Sequence, residues 1–294
     1  MQHEFDTALP SVPSGLAALA GDYDVLLCDI WGVIHDGLNA WPGACSALRR
    51  WRAEVGPVIL VSNSPRPSAE VARQLDDLGV PRSAWSDMVT SGDVTRNLLA
   101  ARAPGPAWRI GPSRDDALYQ GLGLEFAPLE DARFIACSGP NDDEVETPED
   151  YRRSLERGCA RGLEMICANP DLMVQRGSRL IYCGGALAAL YEDLGGEVVM
   201  AGKPHAPIYR LALTRASDHL GRPRDDHRVL AIGDGFGTDL KGAAAMGLDA
   251  LYVGGGVDGG ALFKPNGALD ATLARRRFAE VGTTARHALR ALVW

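Results

Sequence analysis

The sequence predicts an α/β fold, a mostly parallel sheet covered by helices, on three observations. Short apolar runs alternate with helical patterns along the 294 residues. Several of these runs end in loops that carry unusual polar residues. A breaker cluster, Ala103-Pro104-Gly105-Pro106, separates one strand–helix series from a second.

Taken in order, Tyr23–Cys28 reads as a buried strand, and Ala44–Val55 as a helix after the turn Pro42-Gly43. Pro57–Val61 is the next strand, and Ser68 caps a helix running to Leu78. Met88–Thr90 is a third strand, followed by a helix from Asp93 to Ala101. Beyond the breaker, Trp108–Ile110 opens the second series. Thr147-Pro148-Glu149-Asp150 starts a helix well, with Thr at the N-cap, Pro at N1 and acids in the first turn. Glu164–Ala168 is a short strand, and Gly185–Leu194 a helix ending in Gly195-Gly196. Val198–Met200 leads into Gly202-Lys203-Pro204, with a helix over His205–Ser217. Val229–Ile232 is a strand ending in Gly233-Asp234, Thr238–Ala245 a helix and Ala250–Val253 a further strand.

Composition narrows the function. Hydrophobic residues at 46% and charged residues at 23% are the mix of a globular protein with a sizeable core. A net charge of −8 disfavours nucleic acid and anionic membranes, which need a cationic face. No apolar stretch reaches bilayer-spanning length. Met1 to Asp6 shows no secretory signal, so the expected location is the cytoplasm. The six cysteines form no CxxC pair and are expected to be buried free thiols rather than metal ligands.

Four loops carry the chemistry: Asp29-Ile30-Trp31-Gly32-Val33, Ser62-Asn63-Ser64, Gly202-Lys203-Pro204 and Gly233-Asp234-Gly235-Phe236-Gly237-Thr238-Asp239. In open α/β sheets ligands bind at the carboxyl ends of the strands, where such loops lie. A carboxylate such as Asp29 can attack a phosphoryl group and form an aspartyl phosphate. The attack brings two anions together, and a divalent cation held by Asp29 and Asp234 relieves the repulsion. Hard oxygen ligands suit Mg²⁺. Lys203 adds a fixed positive charge, and Ser62 with nearby backbone N–H groups holds phosphoryl oxygens. Positioning and charge stabilisation are most of what phosphoryl transfer requires.

These motifs, in this order, resemble the haloacid dehalogenase superfamily of phosphatases in its NagD-like branch, and the resemblance covers essentially the whole chain. It implies a Rossmann-like parallel-sheet core, residues 1–102 plus 199–294, with a smaller α/β cap inserted at 103–198. It implies Asp29 as nucleophile and Ser62 and Asn63 at the phosphate. It gives Lys203 a catalytic and phosphate-binding role. The metal site comprises Asp29, the backbone carbonyl of Trp31 and Asp234, with Asp239 in support. The stretches Ala168-Asn169-Pro170-Asp171, Gly184-Gly185-Ala186-Leu187 and Gly32 through Pro42-Gly43-Ala44 also match the branch. Asn169, Asp171 and Arg176 are candidates for reading the substrate from the cap, against a reading as ordinary turn residues. The expected partner is a small phosphorylated metabolite, and the branch allows a homodimer.

One position departs from the family. A second Asp usually stands two residues after the nucleophile, where it protonates the leaving group and then activates water; here it is Trp31. An indole is a donor only and exchanges no proton at pH 7. Positioned acid–base catalysis is worth about 10²–10⁴-fold, so hydrolysis of alkyl phosphates should be slow and the phosphoenzyme long-lived. Aryl and acyl phosphates, whose leaving groups need no proton, should suffer less in the first step. His35 is a candidate stand-in, with Asp36 beside it and His205 two residues past Lys203.

Two rivals follow from the same residues. A phospho-ligand binding protein that has lost turnover accounts for Trp31 but not for Asp29, Lys203, Asp234 and Asp239. A dehalogenase also uses an Asp nucleophile but does not need the metal carboxylates. Gly233-x-Gly235-x-Gly237 after a strand is a weak dinucleotide signal, opposed by Asp234, whose charge would face a pyrophosphate. Gly254-Gly255-Gly256 and Gly259-Gly260 read as a surface loop rather than a phosphate cradle.

Overall fold

The computed structural model describes residues 9–176, 179–222, 224–254 and 262–294. Most of the glycine-rich stretch after Gly254 lies outside these residues. The elements, in chain order, are β1 (Val25–Cys28), α1 (Pro42–Glu54), β2 (Val58–Ser62), α2 (Ser68–Asp77), β3 (Asp87–Thr90) and α3 (Ser91–Ala100). The middle of the chain forms β4 (Ala107–Ile110), β5 (Phe134–Cys137), α4 (Pro148–Ala160), β6 (Glu164–Cys167), β7 (Met173–Arg176), β8 (Arg179–Tyr182), α5 (Gly184–Asp193) and β9 (Val198–Met200). It closes with α6 (Ala206–Leu220), β10 (Val229–Gly233), α7 (Lys241–Ala245), β11 (Asp249–Val253), α8 (Ala271–Val281) and β12 (His287–Leu289).

The chain divides into two compact units. The first comprises Met1–Val61, Leu75–Met88 and Tyr209–Trp294. Its sheet has the order β12-β11-β10-β1-β2-β3, and β1 pairs in parallel with both β10 and β2. Every residue of β1, β2 and β10 is buried, which accounts for their unbroken apolar runs: a parallel strand covered on both faces has no polar side to alternate with. Chain order reverses at β1, with β2 and β3 on one side and β10 to β12 on the other, the geometry of a ligand-binding switch point. The register sets Cys28 opposite Ile232, so the residues after β1 and β10 emerge side by side.

The second unit comprises Ser62–Gln74 and Val89–Ile208. It holds a parallel sheet in the order β4-β5-β6-β9 and the antiparallel hairpin β7–β8. On one face Ile135, Met165 and Cys137 pack with Tyr151 and Leu155 of α4 and Leu187 and Tyr191 of α5. On the other, Phe134, Ala136 and Ile166 pack with Leu99 of α3, Leu118 and Tyr119. Helices on both faces of a parallel sheet confirm the α/β class.

Several boundaries shift for local reasons. Helix α1 begins at Pro42, which occupies the first turn rather than a preceding bend. Strand β1 begins at Val25, because Tyr23 and Asp24 turn their side chains to Asp249 and Arg228. Thr147 caps α4 as its sequence predicts, its backbone N–H donating to Asp150 at 2.7 Å. Strands β5 and β12, the hairpin β7–β8 and helix α8 lie beyond the elements that the sequence pattern predicts. The six cysteines are free thiols, and all but the half-buried Cys159 are buried. Among the described residues no helix is long and apolar enough to cross a membrane.

Candidate active site

In the first unit, the loops after β1 and β10 gather three carboxylates. The Asp29 N–H donates to the Ile232 carbonyl at 2.8 Å, tying the end of β1 to β10. The chain then turns tightly: the Ile34 N–H reaches the Ile30 carbonyl at 2.8 Å and the Gly32 N–H the His35 carbonyl at 2.9 Å. One oxygen each from Asp29, Asp234 and Asp239 lies within 4.8 Å of the others, and all three residues are buried.

Glycines make this crowding possible. Gly32 has φ +81°, and a Cβ there would stand 2.2 Å from Asp234 Oδ2. A Cβ at Gly233 would fall 2.1 Å from Asp239 Cγ, and one at Gly235 2.1 Å from Thr238 Oγ1. The glycines after β10 therefore clear space for the Asp239 carboxylate, which explains a pattern that looks superficially like a dinucleotide loop. Asp239 sits in one π-helical turn, Phe236–Leu240, closed by the Leu240 N–H on the Gly235 carbonyl at 3.1 Å. Its Oδ2 accepts from the Gly235 N–H at 3.3 Å and the Thr238 hydroxyl at 3.2 Å. The Tyr209 hydroxyl holds the same turn through the Asp239 carbonyl at 3.2 Å. Gly32, Gly235, Thr238 and Tyr209 were not assigned roles from sequence. The only local signal was glycine placed directly against an acid at a strand end.

Three buried carboxylate oxygens so close together are a hard, anionic donor set, suited to Mg²⁺ and unlike the Cys/His sets of zinc.

Trp31 is partly exposed and fixed from two sides. Its indole meets the His35 ring edge-on, with centroids 5.2 Å apart and planes at 63°. Gly37, at φ +91°, lies so close that a Cβ would stand 2.4 Å from Trp31 Cζ2. His35 itself is 2% exposed, and its Nδ1 accepts the Gly37 N–H at 2.8 Å. Burial pulls its pKa down to about 4, so the ring is neutral at pH 7 with its proton on Nε2. Such an imidazole braces the indole but is poorly matched to proton exchange near neutrality. Asp36 accepts the Leu38 and Asn39 N–H groups and serves as a turn cap. His205 is exposed.

The second unit holds the remaining candidates and joins three of them, Asn63, Lys203 and Asp171. Asn63 Oδ1 accepts the Lys203 N–H at 2.7 Å, while its Nδ2 donates to the Lys203 carbonyl at 3.1 Å and to Asp171 Oδ1 at 2.8 Å. Both amide hydrogens are thus committed to fixing the Lys203 main chain and the 169–171 loop. Ser62 is the last residue of β2, and its Oγ accepts the Ser64 N–H at 3.2 Å. Asn169 Oδ1 takes the Asp171 N–H at 3.2 Å, an Asx turn. A Cβ at Gly185 would fall 2.1 Å from the Pro170 carbonyl, so the Gly184-Gly185 start of α5 is what admits this loop. Arg176 is held by Asp143 at 3.0 Å and Glu144 at 3.7 Å.

Comparison with known proteins identifies the family. A haloacid dehalogenase-like hydrolase model matches residues 26–125, and a second, HAD-hydrolase-like, matches 200–274. A haloacid dehalogenase-like hydrolase structure from Brucella suis 1330 is 48% identical, covering 96% of this chain and 100% of that one with a TM-score of 0.85. D-glycerol 3-phosphate phosphatase of Mycobacterium tuberculosis is 29% identical over 250 residues, 83% of this chain and 66% of the relative's length. A glycerol phosphate phosphatase structure from the same species, in complex with magnesium, is 28% identical with a TM-score of 0.61, covering 81% of this chain and 70% of that one.

The chain belongs to the haloacid dehalogenase-like hydrolase family. Within it, the chain falls in the NagD-like branch.

Proposed function

We propose that the protein is a Mg²⁺-dependent phosphatase or phosphotransferase acting on a small phosphorylated metabolite through an aspartyl phosphate on Asp29. The carboxylate cluster of Asp29, Asp234 and Asp239 carries this reading, because a buried anionic trio suits a divalent cation beside a nucleophile. The magnesium-bound glycerol phosphate phosphatase of the same family supports the choice of ion. Asp29, Asp234 and the Trp31 carbonyl would hold the ion, with Asp239 in support; when bound, it offsets the charge of the phosphoryl oxygens.

In the first step one Asp29 carboxylate oxygen attacks phosphorus, and the bond from phosphorus to the leaving oxygen breaks with its electron pair on that oxygen. On the motif order, Ser62 and Lys203 bind the phosphoryl oxygens, and Asn63 contributes by fixing the Lys203 main chain. In the second step water attacks the phospho-Asp29, restoring the carboxylate and releasing inorganic phosphate. Neither Trp31 nor the neutral His35 supplies an acid–base group of suitable pKa, so both proton transfers are slow. Residues 103–198 form the inserted cap in this reading, and Asp171 carries cap chemistry to Asn63.

The test is phosphate release from a metabolite panel with and without Mg²⁺, using Asp29→Asn as control. An initial burst followed by a slow phase is expected with an aryl phosphate. A linear time course at ordinary phosphatase rates would remove the slow-turnover part. Activity surviving in the control would remove Asp29 as nucleophile. The alternative, a phospho-ligand binding protein with little turnover, is favoured by Trp31 and by the low pKa of His35. It predicts phosphate-ester binding with neither burst nor release.

A further inference from the structure

Trp31 does more than leave a gap where an acid is absent. Its ring is held between the edge of His35 and the backbone of Gly37, so its orientation is fixed before any ligand arrives. Trp31 nevertheless remains partly exposed. Its neighbour Gly32 abuts Asp234, which sets the residue beside the carboxylate cluster.

We propose that the Trp31 indole is a stacking platform for the leaving group, and that the preferred substrates are aryl phosphates. This deepens, and rests on, the reading of Asp29 as nucleophile. Two independent arguments converge on it. A rigidly held aromatic side chain at a partly exposed position attracts a planar aromatic group in an offset or edge-on arrangement. Separately, a site without a proton donor favours leaving groups stable as anions. When Asp29 attacks an aryl phosphate, the phosphorus–oxygen bond breaks, the electron pair stays on the phenolate, and no proton is needed. The side chain that removes the acid therefore also provides a surface for the one common class of ester that can do without it. Gly37 and His35 are positioning residues in this scheme, since they set the ring and touch no substrate.

The experiment compares phenyl phosphate with acetyl phosphate, whose leaving group also needs no proton but cannot stack. The readouts are kcat and KM for each. In Trp31→Leu the ratio of kcat/KM for phenyl over acetyl phosphate is expected to fall about tenfold, mainly through KM for the aryl ester. Trp31→Phe is expected to retain most of the ratio. Gly37→Ala, which pushes on Cζ2 of the indole, is expected to lower it in the same direction. An unchanged ratio in both Trp31→Leu and Gly37→Ala overturns the platform. Should the variants fail to fold, competition by phenylphosphonate and methylphosphonate on the wild type decides: equal inhibition overturns the proposal, and stronger inhibition by the phenyl compound sustains it. Phosphorylation by acetyl phosphate that persists in Asp29→Asn overturns the nucleophile reading itself, and the platform with it. Loss of phosphorylation in that control together with an unchanged ratio overturns the platform alone.

Discussion

The two ends of the sheet in the first unit are built from polar residues of quite different kinds. At the amino ends of the strands, Tyr23 donates its hydroxyl to Asp249 at 2.8 Å and contacts His287 Nε2 at 2.9 Å. Ser11 meets His287 Nδ1 at 2.6 Å. The single Tyr23 proton goes to Asp249, so His287 donates from Nε2 and accepts from Ser11 at Nδ1. Beside this chain, Asp24 accepts from Arg228 and Arg222, each at 2.7 Å. Donors and acceptors alternate until each is matched. At the carboxyl ends, by contrast, three like charges are drawn within 4.8 Å by loops whose glycines permit the approach. The amino end closes the fold on itself. The carboxyl end instead gathers acids of one kind into a cluster that a cation can use.

That contrast can be broken at either end. The largest expected effect is Asp29→Asn, which should lower Mg²⁺-dependent phosphate release on the order of a thousandfold or more in steady-state assays while leaving the fold intact. Next, Trp31→Asp should raise release from an alkyl phosphate by about 10²-fold, measured as kcat under saturation. No gain would mean that something other than the missing carboxylate limits turnover. At the amino end, Tyr23→Phe leaves Asp249 and His287 each short of a bond. It should cost about 1–3 kcal/mol in denaturant unfolding without changing the Mg²⁺ concentration for half-maximal activity. Asp234→Asn should do the reverse. It should remove Mg²⁺ dependence together with activity, measured as phosphate release across a Mg²⁺ titration.

The smallest expected effect concerns pH. The Arg228 and Arg222 guanidiniums hold the Asp24 pKa down to about 2, below the ordinary carboxylate value of about 3.9. A depressed folded-state value means the contribution is complete above that ordinary value and is lost as pH falls through about 2. Unfolding free energy measured between pH 5 and 2 should therefore decline less steeply in Asp24→Asn than in the wild type.

Much of this molecule was legible in its residues, and for identifiable reasons. The buried strands β1, β2 and β10 announce themselves as apolar runs because both faces are covered. Thr147-Pro148-Glu149-Asp150 predicts its helix because a capping box is a local device. Asp29, Asp234 and Asp239 could be singled out because each ends or follows a strand in a family-like order. The hairpin β7–β8 is not legible in the sequence because its four-residue strands gain their identity from pairing with each other, Val174 opposite Ile181. Strand β12 is three residues long and is defined by its partner β11. Asn63 reads as a phosphate ligand from its motif, yet its amide is turned onto Lys203, 140 residues away along the chain.

By itself, then, the sequence determined the α/β class, the family and the acids proposed for the site, since these depend on local pattern and motif order. Only the tertiary structure decided how those residues act. It brought Asp29, Asp234 and Asp239 within 4.8 Å through strand register and the space left by Gly32, Gly233 and Gly235. It also lowered the pKa of His35 by burial and fixed the Trp31 indole against it. Close approach and desolvation are properties of packed neighbours, and neighbours distant along the chain are chosen by the fold rather than by any one segment.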